Sequence, residues 1–186
     1  MDGRTHRSEQ DMFASFHIAV LPESVSLLHP AIVVGSWFGM GLVEPLRAGL
    51  AVASVVPLAV LLSGRSPLLL VVAALLVGVT GMWAAHAWEA LVSLKDDRRI
   101  VVDEVAGYLA GMALIGRTGW LAGGCFAAAF LALDRAKPWP FNQIEGFHGG
   151  VGVMLDDLAV AVPLAAAVLL IAAAGRRIGR FERRSG

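Results

Sequence analysis

The residues able to do chemistry in this chain gather in two places. Residues 134–157 read DRAKPWPFNQIEGFHGGVGVMLDD, and Asp103 and Glu104 stand side by side at the start of an apolar run. Carboxylates, a lysine, a histidine and glycines in so short a space are the residue types that phosphate chemistry uses. Hard cations such as Mg²⁺ take oxygen ligands, typically one or two carboxylates together with substrate phosphate and water. Asp103, Glu104, Asp134, Asp156 and Asp157 are therefore the metal-ligand candidates, and Mg²⁺ is the cofactor they suit. Asp103 and Glu104, like Asp156 and Asp157, are expected to open a helix, where capping and the macrodipole also account for an acid. Asp134 is expected to end one, where the macrodipole opposes a negative charge, so a bound cation or Lys137 must compensate.

Lys137 precedes Pro138-Trp139-Pro140, a stiff segment that cannot continue a helix. It can bind phosphate, or it can snorkel to the headgroup level beside Trp139 as an interface anchor. The stretch His148-Gly149-Gly150-Val151-Gly152 reads as a glycine-rich turn. The backbone N–H groups of Gly149, Gly150 and Gly152 can cradle an anion there, ahead of the next helix. His148 can donate a proton to a leaving alkoxide or cap the loop. His86 and Glu89, three residues apart, share a helix face and read as supporting polar groups.

The elements that must position these residues are mostly hydrocarbon. Of 186 residues, 57% are hydrophobic, and mean hydropathy is +0.70, more than a soluble domain of this length needs to fill its interior. The composition points to an all-α fold, a polytopic membrane helical bundle of one domain. The single cysteine, Cys125, lies in an apolar run, so no intramolecular disulfide forms and redox chemistry has no support. Net charge is zero, so neither a nucleic-acid partner nor a polybasic lipid anchor follows from the total. No motif dictates an oligomeric state.

About five apolar helices are expected, over residues 48–63, 68–88, 105–115, 120–133 and 158–174, with Gly-Arg-Ser-Pro at 64–67 and Gly-Arg-Thr-Gly at 116–119 as turns. The two helices between 105 and 133 are short, and the hairpin is firmer than either length. Residues 17–42 are interrupted by Pro22 and Pro30 and read as a re-entrant or interfacial helix ending in a glycine-containing loop, 39–49, which carries Glu44 and Arg47. Residues 1–15 form a polar N-terminal tail with no secretory signal, 16–175 the membrane domain, and 176–186 a basic C-terminal tail. If each apolar helix crosses, 14 of the 15 Asp and Glu and all five His share one face. Lys and Arg divide 8 to 7 between the faces, so charge alone does not orient the bundle.

The three motifs Ile100-Val-Val-Asp103-Glu104, Asp134-x-x-Lys137-Pro138-Trp139-Pro140 and His148-Gly149-Gly150-x-Gly152-Val153-Met154-x-Asp156-Asp157 together resemble the phosphatidylglycerophosphatase A family, in order, spacing and flanking apolar runs. The resemblance implies a Mg²⁺-dependent integral membrane phosphatase that converts the phospholipid substrate phosphatidylglycerophosphate to phosphatidylglycerol at the cytoplasmic face of the bacterial inner membrane. In that frame Asp103, Glu104, Asp134 and His148 are catalytic candidates, while Arg47, Lys137, Gly149, Gly150 and Gly152 bind substrate. The chain departs from the family pattern at Leu131, where an arginine is usual. It departs again in Leu46-Arg47-Ala48-Gly49, where the family carries Pro-Gly-Thr, and Arg47 is expected to replace part of the missing positive charge. Two other readings compete: a family member acting on another lipid phosphate, and a transporter or scaffold whose acids couple ions without catalysis. Acids at the ends of apolar runs, rather than in their middles, favour an enzyme.

Overall fold

A computed structural model describes residues 17–94, 97–136 and 150–185. Six helices account for most of it: α1 (Pro30–Gly35), α2 (Arg47–Arg65), α3 (Pro67–Val92), α4 (Val102–Ile115), α5 (Trp120–Ala136) and α6 (Gly150–Ser185). Three of them carry stretches long and apolar enough to cross a membrane: Arg47–Arg65, Pro67–Val92 and Met154–Arg177. The polytopic all-α bundle expected from composition is thus present, with three spans of full length among the described residues. Helix α4, with 14 residues, reaches only about 21 Å, short of a hydrocarbon core of about 30 Å.

Helix α4 is instead the axle of the bundle. Val102, Val105, Tyr108, Leu109 and Met112 are all buried, and α2, α3, α5 and α6 pack around it. Residues of several helices close over it in one apolar core, including Val52, Val60, Leu70, Phe126, Phe130 and Val160. Outward, α3 presents Leu68, Leu75, Leu76, Val79 and Trp83 to the surroundings, an apolar surface suited to lipid and not to water. At one end of the bundle the Ser63 Oγ receives the Thr118 N–H at 3.2 Å, tying the end of α2 to the α4–α5 turn. The other end holds the first residues of α2, α4 and α6 and the last of α5, as the alternation of runs and turns requires.

The segment before α2 differs from expectation. In place of a long re-entrant helix, it holds the six-residue α1, a 3-10 turn at Met40–Leu42 and a two-stranded antiparallel ribbon of β1 (His17–Ile18) and β2 (Val43–Glu44). The prolines explain the brevity. Pro30 sits at the start of α1, where its missing N–H costs nothing, and His29 caps the helix by accepting the Ala31 N–H on Nδ1 at 3.3 Å. Beyond α1, Trp37, Phe38 and Gly39 all take positive φ, which unwinds the chain and turns it back toward α2.

The last helix also starts earlier than expected. Gly150 opens α6, so Gly150 and Gly152 lie in its first turn, where a turn was expected, and Asp156 and Asp157 sit in its second. The helix then runs on through Ser185, about 54 Å in all, so residues 176–185 continue it rather than forming a separate tail.

Candidate active site

The acids that begin α4 are aimed inward by the same burial that makes α4 the centre of the bundle. Val101 precedes the helix and donates its N–H to the Gly35 carbonyl at 2.9 Å, and no side chain caps the first turn. Asp103 and Glu104 fill that turn, where the macrodipole favours negative charge. One turn further on, Gly107 lets α6 approach: a Cβ there would lie 3.0 Å from the Asp157 Cβ and 3.0 Å from the Phe130 Cζ. Only glycine permits that approach without displacement, and it carries Asp157 up to the start of α4. One carboxylate oxygen each from Asp103, Glu104 and Asp157 lie within 4.8 Å of one another.

Such a cluster is costly unless something neutralises it. The Asp103 Oδ1, Glu104 Oε2, Asp134 Oδ1 and Asp157 Oδ2 atoms are buried with no hydrogen-bond partner among the described residues. Asp103 and Glu104 lie outside the three membrane-length helices. Burial, with the charge of Asp134 adding to it, pushes the Asp103 carboxyl up to about 6. Burial and then the charges of Asp103 and Asp157 push Glu104 well above its ordinary value. An all-oxygen donor set with unsatisfied lone pairs is what a hard divalent cation takes up, so the residues present fit Mg²⁺.

These acids face a cavity of about 560 Å³, to which Asp134 and Asp156 also contribute. Its remaining charged lining is Asp97 and three arginines. Arg47, from the first turn of α2, is held by Glu44 at 3.2 Å, and Arg98 and Arg135 contribute from the α3–α4 loop and the last turn of α5. Five of the expected metal ligands and Arg47 therefore meet at one cavity. Leu131 lines it too, on α5 one turn before Arg135. Lys137, His148 and Gly149 lie outside the described residues. His86 is exposed, while the Glu89 Oε1 is buried without a partner, and neither residue lines the cavity.

Arg98, Arg135 and a clamp around Asp97 were not singled out by sequence reasoning. Asp97 is buried, accepts the Trp88 Nε1–H at 2.9 Å and is gripped by Arg99, whose Nε lies 2.9 Å and 3.0 Å from its two oxygens. Arg99 also donates to the Val20 carbonyl at 2.6 Å and lies over the Trp88 ring. This clamp ties the N-terminal segment to the α3–α4 loop and so sets where α4 begins. Burial raises the Asp97 carboxyl, but the Arg99 and Trp88 hydrogen bonds outweigh it and hold the group below its ordinary value. The charge density of residues 95–99 was the available signal, but nothing local points to Trp88 or Val20.

The phosphatidylglycerophosphatase A family model matches residues 33–173, which include every element around the cavity. The chain belongs to the phosphatidylglycerophosphatase A family. Family membership makes it a phosphatase, a phosphoric monoester hydrolase of phospholipid biosynthesis. A Haemophilus influenzae phosphatidylglycerophosphatase A is 27% identical over 142 residues, covering 75% of this chain and 87% of that protein. The Escherichia coli phosphatidylglycerophosphatase A is 29% identical over 83 residues, 44% of this chain and 48% of its own length. A Bacteroides thetaiotaomicron protein, provisionally named a phosphatidylinositol-3-phosphatase, is 35% identical over 139 residues, 70% of this chain and 86% of its own. No solved structure gives a significant match.

Proposed function

We propose that this phosphatase is Mg²⁺-dependent and hydrolyses the phosphomonoester of phosphatidylglycerophosphate to give phosphatidylglycerol, at the cytoplasmic face of a bacterial inner membrane. The observation that carries the reading is the convergence of buried, unpartnered carboxylate oxygens from α4 and α6 on a cavity that also holds arginines. Asp103, Glu104 and Asp157 would hold the ion, with Asp134 and Asp156 beside them. A bound Mg²⁺ would neutralise charge on the phosphoryl oxygens and so lower the barrier to displacing the leaving alkoxide at phosphorus.

The chain's own residues do the rest. Arg47, kept in place by Glu44, binds a phosphoryl oxygen, and its fixed planar fork suits that geometry. Asp134 accepts the proton of the attacking water on an oxygen that no described residue occupies. Lys137 and the N–H groups of Gly149, Gly150 and Gly152 would bind the phosphate, and His148 would return a proton to the leaving alkoxide. If a carboxylate rather than water attacks, rapid acid quench of a turnover mixture traps a phospho-enzyme.

A second reading, phosphatidylinositol 3-phosphate as substrate, is favoured by the provisional name of the Bacteroides relative. Phosphate release by purified protein from a panel of phosphatidylglycerophosphate, phosphatidylinositol 3-phosphate and phosphatidic acid separates the two. The highest kcat/KM is expected on phosphatidylglycerophosphate. A higher value on the inositol lipid replaces that substrate, and release from none of the three leaves the ion-coupling scaffold as the better account.

A further inference from the structure

Arg98 and Arg135 share the cavity with Asp103, Glu104 and Asp157 without forming an ion pair to them. Among the described residues the ion pairs are Arg47 with Glu44 and Arg99 with Asp97. Arg98 and Arg135 line the cavity and belong to neither pair. Had their role been to neutralise the acidic floor, they would stand within ion-pair distance of Asp103, Glu104 or Asp157, each of which instead keeps one oxygen without a partner. Arg135 complements the macrodipole at the end of α5, but Arg98 lies in a loop where no such explanation applies. They come from two different elements, and neither lies within 4.0 Å of a carboxylate oxygen of Asp103, Glu104 or Asp157. At about 560 Å³ the cavity has room for a headgroup with two anionic centres.

We propose that Arg98 and Arg135 hold a second phosphate of the substrate, the phosphodiester that links headgroup to diacylglycerol, while the carboxylate floor engages the terminal monoester. This rests on the phosphatase reading of the same site and names its substrate class: glycerophospholipids whose headgroup ends in a phosphomonoester. Phosphatidylglycerophosphate and phosphatidylinositol 3-phosphate both carry the two phosphates a short polyol apart. Phosphatidic acid carries one and is discriminated against. Guanidinium groups suit the task because each can offer two parallel N–H donors to a phosphate.

The test is the ratio of kcat/KM on phosphatidylglycerophosphate to that on phosphatidic acid of matched acyl chains, in mixed micelles, for the full chain and the Arg98→Ala/Arg135→Ala double variant. Wild type should prefer the two-phosphate lipid, and the preference should fall about tenfold in the double variant, as expected for charge-assisted contacts from two exposed arginines. Arg98→Lys/Arg135→Lys should restore part of it. An unchanged preference in the double variant, or no preference in wild type, overturns the proposal. Calorimetric affinity for the same two lipids reads the preference without turnover. Protein that hydrolyses neither lipid thus sinks the phosphatase reading, while the affinity ratio still decides the role of the two arginines.

Discussion

A buried carboxylate, Asp97, and a cluster of three, Asp103, Glu104 and Asp157, lie at the same end of this bundle, and they are built in opposite ways. Asp97 is buried, yet both of its oxygens are satisfied, by Trp88 and by a guanidinium that also reaches the Val20 carbonyl. Asp103, Glu104 and Asp157 are drawn together from two helices with oxygens left over. The first arrangement is a strut, in which every lone pair serves the fold. The second loses stability to mutual repulsion and desolvation, and a fold keeps such a cluster where a ligand completes it. Burial alone does not tell a strut from a site; the bookkeeping of partners does.

The sharpest way to break the comparison is to remove one charge from each arrangement. Asp103→Asn and Asp157→Asn should each lower kcat by about a thousandfold or more, since each removes both a ligand and its charge. In the metal-free protein the same substitutions should raise the thermal midpoint, because one repelling charge leaves a buried group of like charges. Arg99→Ala should do the reverse. It strands the Asp97 carboxylate in a buried position and should cost about 3 kcal/mol of stability, measured by denaturant unfolding in detergent. A drop in midpoint for Asp103→Asn, or none for Arg99→Ala, would erase the distinction.

A smaller effect is expected where the two helices of the site touch. Gly107→Ala places a methyl against the Asp157 Cβ and Phe130. It should cost about 1–3 kcal/mol of stability and raise the Mg²⁺ concentration needed for half-maximal rate, since Asp157 must retreat from α4. The smallest effect is in pH. The folded-state Asp97 carboxyl lies below its ordinary value of 3.8, so its contribution is complete above about pH 4 and is lost as pH falls through the lower folded-state value. Trp88 fluorescence should report release of the clamp in that acid range, and Asp97→Asn should abolish the transition.

What was legible in the chain follows from where the determinants lie. The helical hairpins were readable because apolar runs, and the Gly- and Pro-containing turns at 64–67 and 116–119, are local signals. Asp134 was expected to end its helix, and α5 runs on through it to Ala136. The Asp97 clamp was not readable, since its partners at Trp88 and Val20 arrive from other elements. The ribbon of His17–Ile18 with Val43–Glu44 is two residues wide and joins segments far apart in sequence, which no period-two pattern reveals. The glycines at 150 and 152 read as a turn from their propensity, yet they form the first turn of a helix whose later residues are strongly apolar. The meeting of Asp103 and Glu104 with Asp157 was expected from topology, but the contact that makes it possible, Gly107 against Asp157, is visible only in three dimensions.

The central claim is that the unpartnered carboxylates are completed by a divalent cation that supports lipid phosphomonoester hydrolysis. The most direct measurement is the rate of phosphate release from phosphatidylglycerophosphate by purified protein titrated with Mg²⁺ after chelator treatment, with Asp103→Asn alongside. The account predicts no release without the ion, saturable recovery for wild type, and no recovery for the variant at any Mg²⁺ concentration. Release that persists through chelation, or a variant that recovers to the wild-type rate, would contradict it.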